Sequence, residues 1–336
     1  MNSILTSIPG TRKGSFVHRI ILDTDPGIDD ALALFLALAS PEVQLEAITT
    51  VSGNVHVDLT TRNALALLEL AGRTDIAVAR GCERPLVRQP VVADYVHGRN
   101  GLGDVELPGP QLRPVGQHAV DLIIEKVMAA PREITLVPIG PLTNIALALR
   151  KEPRIIAYVR EVVIMGGALR VPGNVTPEAE FNIYADPHAA HMVFHAGWPL
   201  RLVTLDVTTK ALLKREQVQW LASSGSPVTS LIQQMIDYFL DTFGRARGRT
   251  AFEMHDPLCL AAVFLPEMIT WEAAYVDVEL AGSSTSGETV AYFEHLEEID
   301  PSLARAHPSN VLVSVGVDAG RFISLYMDRI QARFHF

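Results

Sequence analysis

"RIILDTDPGIDDALALFLALAS", residues 19–40, governs the reading of the whole chain. It opens on an unbroken apolar run, passes through Asp23, Asp25, Asp29 and Asp30, and leaves in an apolar stretch of helical length. An apolar run without alternation suits a strand buried on both faces, as in a parallel sheet covered by helices. Pro26-Gly27 supplies the tight turn between the two elements. The pattern then recurs. "VQLEAITTVSG" (43–53), "DIAVARG" (75–81), "EITLVPIG" (133–140), "EVVIMGG" (161–167) and "LRLVTLD" (200–206) read as further buried strands. Between them, "VDLTTRNALALLELAG" (57–72), "GQHAVDLIIEKVMAA" (116–130) and "DPHAAHMVFHAG" (186–197) carry helical spacing. This alternation predicts an α/β fold, a single domain with an open, mainly parallel, Rossmann-like sheet flanked by helices. Ligands of such sheets bind at the carboxyl edge of the strands, which is where the sharpest motifs of this chain fall.

Beyond residue 206 the chain turns helical, through "LKREQVQWLASS" (213–224) and "SPVTSLIQQMIDYFLDTFGRARG" (226–248). Strand-like runs return at 274–280 and 311–317, and "AGRFISLYMDRIQARF" (319–334) reads as a closing helix. No repeat, low-complexity linker or composition break divides the chain. The expected organisation is a loose N-terminal extension over residues 1–17 followed by one domain over 18–336.

With 336 residues, 48% of them hydrophobic, the chain has ample material for a large core. Its formal charge of −10 argues against nucleic acid or an anionic membrane as partner. The first residues lack a signal-peptide core, and no apolar run approaches the roughly 20 residues of a membrane span. Two cysteines, Cys82 and Cys259, are too few for a disulfide framework. Together these features set the expectation of a soluble, cytoplasmic protein.

The four aspartates carry most of the functional signal. Strand alternation puts Asp23 and Asp25 on one side of the sheet's exit, while Asp29 and Asp30 fall in the first turn of a helix, where the dipole favours negative charge. One or two such residues are ordinary helix caps. Four converging carboxylates repel one another unless a cation compensates, and an all-oxygen set suits Ca²⁺ or Mg²⁺. The larger, more flexible coordination sphere of Ca²⁺ fits four donors from one short segment better. An EF-hand loop starting at Asp23 is excluded, because Ile28 and Leu34 stand where it needs Gly and Glu. Asp23-Thr24-Asp25 also fits the short Asp-x-Asp motif of Mg²⁺-dependent phosphatases, but their second aspartate pair and phosphate-gripping lysine have no convincing equivalent.

Four more stretches end strands or open helices: Gly53-Asn54; Ile139-Gly140 with Pro141, Thr143 and Asn144; Glu180-Phe181-Asn182 before Asp186-Pro187; and His255-Asp256. A backbone carbonyl in the second could serve a cation as a neutral ligand. Each has an ordinary account as turn former, helix opener or structural histidine. Together they form a ring of hydroxyl-binding groups around the aspartates.

At this point the chain resembles the inosine–uridine-preferring nucleoside hydrolases, from about residue 18 onward. "DTDPGIDDA" (23–31) matches the family's signature, and "HGRNGLG" (97–103), "VPIGPLTNIA" (137–146), "EFNIYADP" (180–187) and "HDPL" (255–258) follow in the same order. The resemblance implies Ca²⁺-dependent hydrolysis of the N-glycosidic bond of ribonucleosides, giving ribose and free base, by a homodimer or homotetramer. It implies metal ligation by Asp25, Asp30 and Asp256 and by the main-chain oxygen of Ile139. Asp25 would also be the general base on the attacking water. Asn54, Asp29, Asn174, Glu180, Asn182 and Asp256 would hold the ribose, with Met165 and Phe181 packed near it and Asp23 orienting the loop. His255 is the expected leaving-group acid, and His97, in a glycine-rich segment read as a flap, is the second candidate near the base. Where the family often has Thr the chain has Ile139, a change that a carbonyl ligand tolerates. Phe239, Phe243 and Arg247 are candidate walls of the base pocket, on a spacing that also fits core packing. Two rival readings remain: a non-catalytic calcium-dependent nucleoside- or ribose-binding protein, and the Asp-x-Asp phosphatase.

Overall fold

The computed structural model describes residues 17–293 and 308–335, so the expected N-terminal extension lies, but for Val17, outside the described residues. The strands are β1 (His18–Thr24), β2 (Val43–Thr50), β3 (Val78–Arg80), β4 (Ile134–Pro138), β5 (Glu161–Met165), β6 (Leu200–Val203), β7 (Leu212–Lys214), β8 (Ala251–Glu253), β9 (Ile269–Val278), β10 (Thr289–Phe293) and β11 (Val311–Val317). Nine of them form one sheet in the order β10-β9-β11-β6-β5-β4-β1-β2-β3. From β3 to β11 every pairing is parallel; β9 and β10 close that edge antiparallel. β7 and β8 make a separate two-stranded ribbon.

The apolar runs are explained by helices on both faces. Along β1, Ile20 and Leu22 enter one core layer and Ile21 the other; along β5, Val163 and Met165 oppose Val162 and Ile164. The helix Ile28–Ala39 is buried from Ile28 to Leu38, as expected of a helix apolar all round. It packs against the helix His255–Phe264 and the closing helix Ala319–Phe334, where Phe35 meets Phe334 edge-on at 5.8 Å. Each of its large side chains contributes about 1.5–3 kcal/mol by leaving water.

The strand order reverses between β1 and β4, since the chain runs outward to β2 and β3 on one side and to β5 and β6 on the other. The two strands stay paired to their carboxyl ends, and the connections that leave them run to opposite sides, which puts a crevice just beyond the strand ends. "RIILDTD" and "EITLVPIG" are the segments that deliver Asp23–Asp25 and Ile139-Gly140 to that crevice.

Two expectations need adjusting. The stretch 226–248 is not one helix: the α-helix Pro227–Phe239 widens into a π-helical turn over Leu240–Gly244. The ribbon β7–β8 and the strand β10 lack long apolar runs and gave no strand signal, because β10 lies at the sheet's edge and β7–β8 is only three residues deep. Among the described residues no helix is long and apolar enough to cross a membrane.

Cys82 and Cys259 are free and buried, on opposite core layers. Burial pushes the Cys82 thiol up to about 12 and that of Cys259 higher still. Native protein at pH 8 should therefore resist a thiol-labelling reagent, whereas denatured protein takes up both equivalents; rapid labelling of the native form would contradict this packing.

Candidate active site

Two helix beginnings meet at the crevice. Asp29 and Asp30 occupy the first turn of Ile28–Ala39, and Asp256 the first turn of His255–Phe264. Each helix presents unpaired N–H groups and the positive end of its dipole, which is why carboxylates tolerate this burial. One oxygen each from Asp29, Asp30 and Asp256 lie within 4.8 Å of one another.

Asp30 does two jobs. It accepts hydrogen bonds from Thr24 Oγ1 and from the Asp25 and Gly27 amides, closing the strand-to-helix turn as a cap, and Asn54 Nδ2 also donates to it at 2.9 Å. Asp25 stands beside the trio. Its Oδ2 accepts the Asn54 N–H at 2.6 Å, and its Oδ1 has no hydrogen-bond partner among the described residues. Gly53 and Gly140 flank it so closely that a Cβ at either position would collide with a carboxylate oxygen. Those glycines are a cradle for one side chain.

The four signature aspartates therefore do not converge as one set. Asp23 is turned toward the opposite layer, where its Oδ1 accepts from Thr49 Oγ1 and from Asn144 Nδ2 at 2.8 Å. Asn144 also donates to the Thr50 carbonyl and accepts from the Cys82 amide, tying together the ends of β1, β2 and β3. It emerges as a structural cross-link, a role that the helix-opening pattern around it does not announce.

Burial drives the carboxyls upward. Asp23 and Asp29 are raised to about 7, and Asp25 and Asp256 well above the ordinary carboxylate range, by desolvation first and by neighbouring aspartates next for all but Asp23. Among the described residues Asp29 Oδ1, like Asp25 Oδ1 and Asp23 Oδ2, is buried without a hydrogen-bond partner. Bare oxygens, mutual repulsion and an all-oxygen donor set fit a hard divalent cation. The Ile139 carbonyl borders the same pocket; it accepts Asn182 Nδ2 at 2.9 Å and keeps a second lone pair.

Above this floor lies a pocket of about 750 Å³, counted to its open mouth. Asp29, Asn54, His97, Met165, Asn174, Glu180, Phe181, Asn182, His255 and Asp256, all singled out from the sequence, line it. Phe239, Phe243 and Arg247 line it too: the π-helical turn presents Phe243 to the pocket with the Arg247 guanidinium 4.2 Å over its ring. Glu180 is the cap of the short helix Phe181–Ala185, accepting from the Gly167, Asn182 and Ile183 amides. Sequence reasoning missed Tyr95 on the same wall, and Arg249, Phe252 and Glu253, from the stretch before His255 that the resemblance assigns to the base pocket, join it without having been singled out. Only their nearness to the His97 and His255 motifs would have marked them.

The two histidines differ. His97 Nδ1 accepts the Ile28 N–H at 3.1 Å, so its proton sits on Nε2, and burial holds its pKa down to about 3. It is a neutral donor. His255 Nδ1 pairs with Thr208 Oγ1 at 2.7 Å, and its Nε2 lies 3.4 Å from Glu253, itself ion-paired to Arg249. Burial lowers its pKa, with Asp29 and Glu180 opposing. The segment after His97 is internally braced, since Asn100 accepts from Leu102 and Asp104 and donates to Val105; Gly98, Gly101 and Gly103 serve positive-φ turns there.

The family model of the inosine-uridine preferring nucleoside hydrolases matches residues 20–324. The chain is 42% identical over 315 residues to the inosine-uridine preferring nucleoside hydrolase of Crithidia fasciculata, covering 93% of this chain and 97% of that one. It is 41% identical to the pyrimidine-specific ribonucleoside hydrolase RihA of Salmonella arizonae, covering 93% and 98%. Among solved structures, the plant nucleoside hydrolase PpNRh1 superposes with a TM-score of 0.89 at 37% identity, covering 94% of this chain and 99% of that one. The purine-preferring ribonucleoside hydrolase from Gardnerella vaginalis gives 0.86 at 34%, covering 94% and 98%.

The cradle yields a direct test. Gly140→Ala should leave the circular dichroism spectrum native while displacing the Asp25 carboxylate, lowering kcat on the order of 10²-fold. Full activity in that variant would show that the Asp25 position is not critical.

Proposed function

Because the chain belongs to the inosine-uridine preferring nucleoside hydrolase family, we propose that it hydrolyses the N-glycosidic bond of ribonucleosides to ribose and free base with Ca²⁺ bound among its carboxylates. The observation that carries this is the placing of Asp25, Asp29, Asp30 and Asp256 together at the switch point of the sheet, beneath a pocket with aromatic walls. Ligation falls to Asp25, Asp30, Asp256 and the Ile139 carbonyl, and the all-oxygen set favours calcium's larger sphere. Held by these residues, calcium would supply a Lewis acid that lowers the pKa of the attacking water and a positive charge that attracts the sugar hydroxyls.

The chain's own groups carry the remaining steps. Asp25, fixed through Oδ2 by the Asn54 amide, takes the proton of the attacking water on its bare Oδ1. Asp29, Asn54, Asn174, Glu180, Asn182 and Asp256 grip the sugar hydroxyls, with Met165 and Phe181 against the ring. As the C–N bond breaks, positive charge builds on the sugar, and the buried carboxylates stabilise it in a site of low dielectric. His255 gives its proton to the departing base, held in orientation by Thr208 on one nitrogen and with Glu253 at the other. His97, a neutral Nε2–H donor, binds rather than protonates.

Base preference belongs to the wall. Relatives named for pyrimidine and for purine preference stand at comparable identity to this chain. The discriminating groups are then Tyr95, Phe239, Phe243, Arg247 and Phe252, none of which touches the carboxylate floor's hydrogen bonds. The binding-protein alternative would use Asp25 as a metal ligand alone and predicts binding without ribose release, and the phosphatase alternative lacks a lysine in the pocket lining.

Purified protein with calcium should release ribose from at least one of inosine, uridine, cytidine and adenosine, and Asp25→Asn should lower that rate about 10²–10⁴-fold. No release from any, by folded and calcium-loaded protein, would sink the reading. A 2′-deoxy version of the best substrate should react on the order of 10⁴-fold more slowly, because buried polar groups lose their partner. Chelation should abolish ribose release and lower the melting temperature, and calcium should restore both; activity that survives exhaustive chelation would remove the metal from the mechanism.

A further inference from the structure

We propose that His191, His195 and Asp277 form a second metal site, chemically distinct from the carboxylate floor, that takes a borderline divalent transition-metal ion such as Zn²⁺. None of the three lines the nucleoside pocket. His191 and His195 lie one turn apart at the end of the helix Pro187–Phe194, so both rings project from one helix face. Asp277 comes from β9 of the sheet beneath. One donor atom from each lies within 4.8 Å of the others.

The detail of the hydrogen bonding favours a metal over a plain ion pair. His195 Nδ1 sits 2.8 Å from the His191 carbonyl. A carbonyl only accepts, so Nδ1 carries the proton and Nε2 of the neutral ring presents its lone pair. That tautomer, Nδ1–H on a backbone carbonyl and the lone pair on Nε2, is the usual one of a metal-binding histidine, and here the Tyr275 hydroxyl meets that lone pair at 3.1 Å. The same Nε2 lies 3.9 Å from Asp277 Oδ1, while His191 Nδ1 lies 2.7 Å from that oxygen. Donors around a tetrahedral ion with bonds near 2.0–2.1 Å stand about 3.3 Å apart, between those two values. Tyr275, two residues before Asp277 on the same strand face, puts its hydroxyl 3.1 Å from His195 Nε2 and 3.4 Å from Asp277 Oδ2. This hydroxyl bridges the two side chains in the metal-free protein, and an ion that takes the Nε2 lone pair displaces it from His195.

An ion pair would use one histidine. Here a second ring lies tilted over the first, with centroids 4.4 Å apart and its Nε2 3.9 Å from the same carboxylate, so that three donors converge where a cation could join them. Two imidazoles and one carboxylate select Zn²⁺, Ni²⁺ or Co²⁺ over calcium. The side chains are 39%, 29% and 36% exposed, which leaves an entry path and room for water to complete the coordination. An ion there would staple the helix that follows the Glu180–Asp186 segment to the sheet.

The test uses tag-free, full-length protein already saturated with calcium, titrated with Zn²⁺ by calorimetry and followed by thermal unfolding. One equivalent should bind and raise the melting temperature. His195→Ala and Asp277→Asn should each abolish saturable uptake, and Tyr275→Phe, which frees the His195 Nε2 lone pair, should bind at least as tightly as the unaltered chain. Hydrolysis of nucleosides in calcium should be unchanged in His195→Ala, which shows that the variant is folded. Absence of uptake by the unaltered chain, or uptake undiminished in both His195→Ala and Asp277→Asn, would overturn the proposal. Because the readout is binding, a failure of the hydrolase reading leaves this result independent.

Discussion

The structure turns on one electrostatic constraint: carboxylates kept out of water at the meeting of two helix beginnings. Alone, Asp25, Asp29, Asp30 and Asp256 would protonate or push apart, and burial does drive them upward. What keeps them together is the surrounding donor geometry. The first turns of Ile28–Ala39 and His255–Phe264 offer unpaired amides, Thr24 and Asn54 add side-chain donors, and the paired glycines hold Asp25 in a slot with no room to swing. The fully apolar helix Ile28–Ala39 follows from this. Only a helix sunk in the core can hold its first turn still enough to fix two charges at a strand end.

The same residues therefore serve local structure and the pocket. Asp30 caps its helix and joins the carboxylate cluster; Glu180 caps its own and lines the pocket; Asn54 tethers Asp25 and reaches Asp30. Capping and pocket lining are compatible in one side chain: Glu180 accepts from three amides and still borders the cavity, whereas each oxygen of Asp30 is already taken by two donors.

How much was legible in the sequence follows from where each signal resides. The sheet was readable because seven parallel strands buried on both faces must be continuously apolar, as Ile20–Leu22 and Val162–Met165 are. Most of the pocket lining was readable because strand-end and helix-start chemistry is local. Two kinds of feature were not. Asp23 and Asp25 share a strand parity yet part company, since Asn144 and Thr49 claim one and the Gly53–Gly140 slot the other, and those partners come from distant segments. The wall residues Tyr95, Phe252 and Glu253 sit in short or irregular elements without periodicity, so only the closed chain brings them to the pocket.

The π-helical turn at Leu240–Gly244 carries a further consequence for how such an enzyme can diversify. A π turn is an α turn with one extra residue, so losing a single residue there restores ordinary pitch within the turn and leaves the chain beyond it in phase. Phe243, which the turn itself presents, would then face elsewhere, while the strand ends and helix first turns that hold the carboxylates would be unaffected. A one-codon insertion or deletion can thus refit the chamber that meets the base and spare the machinery that cuts the bond. A lineage could change its diet of nucleosides in a single genetic step without passing through an inactive ancestor.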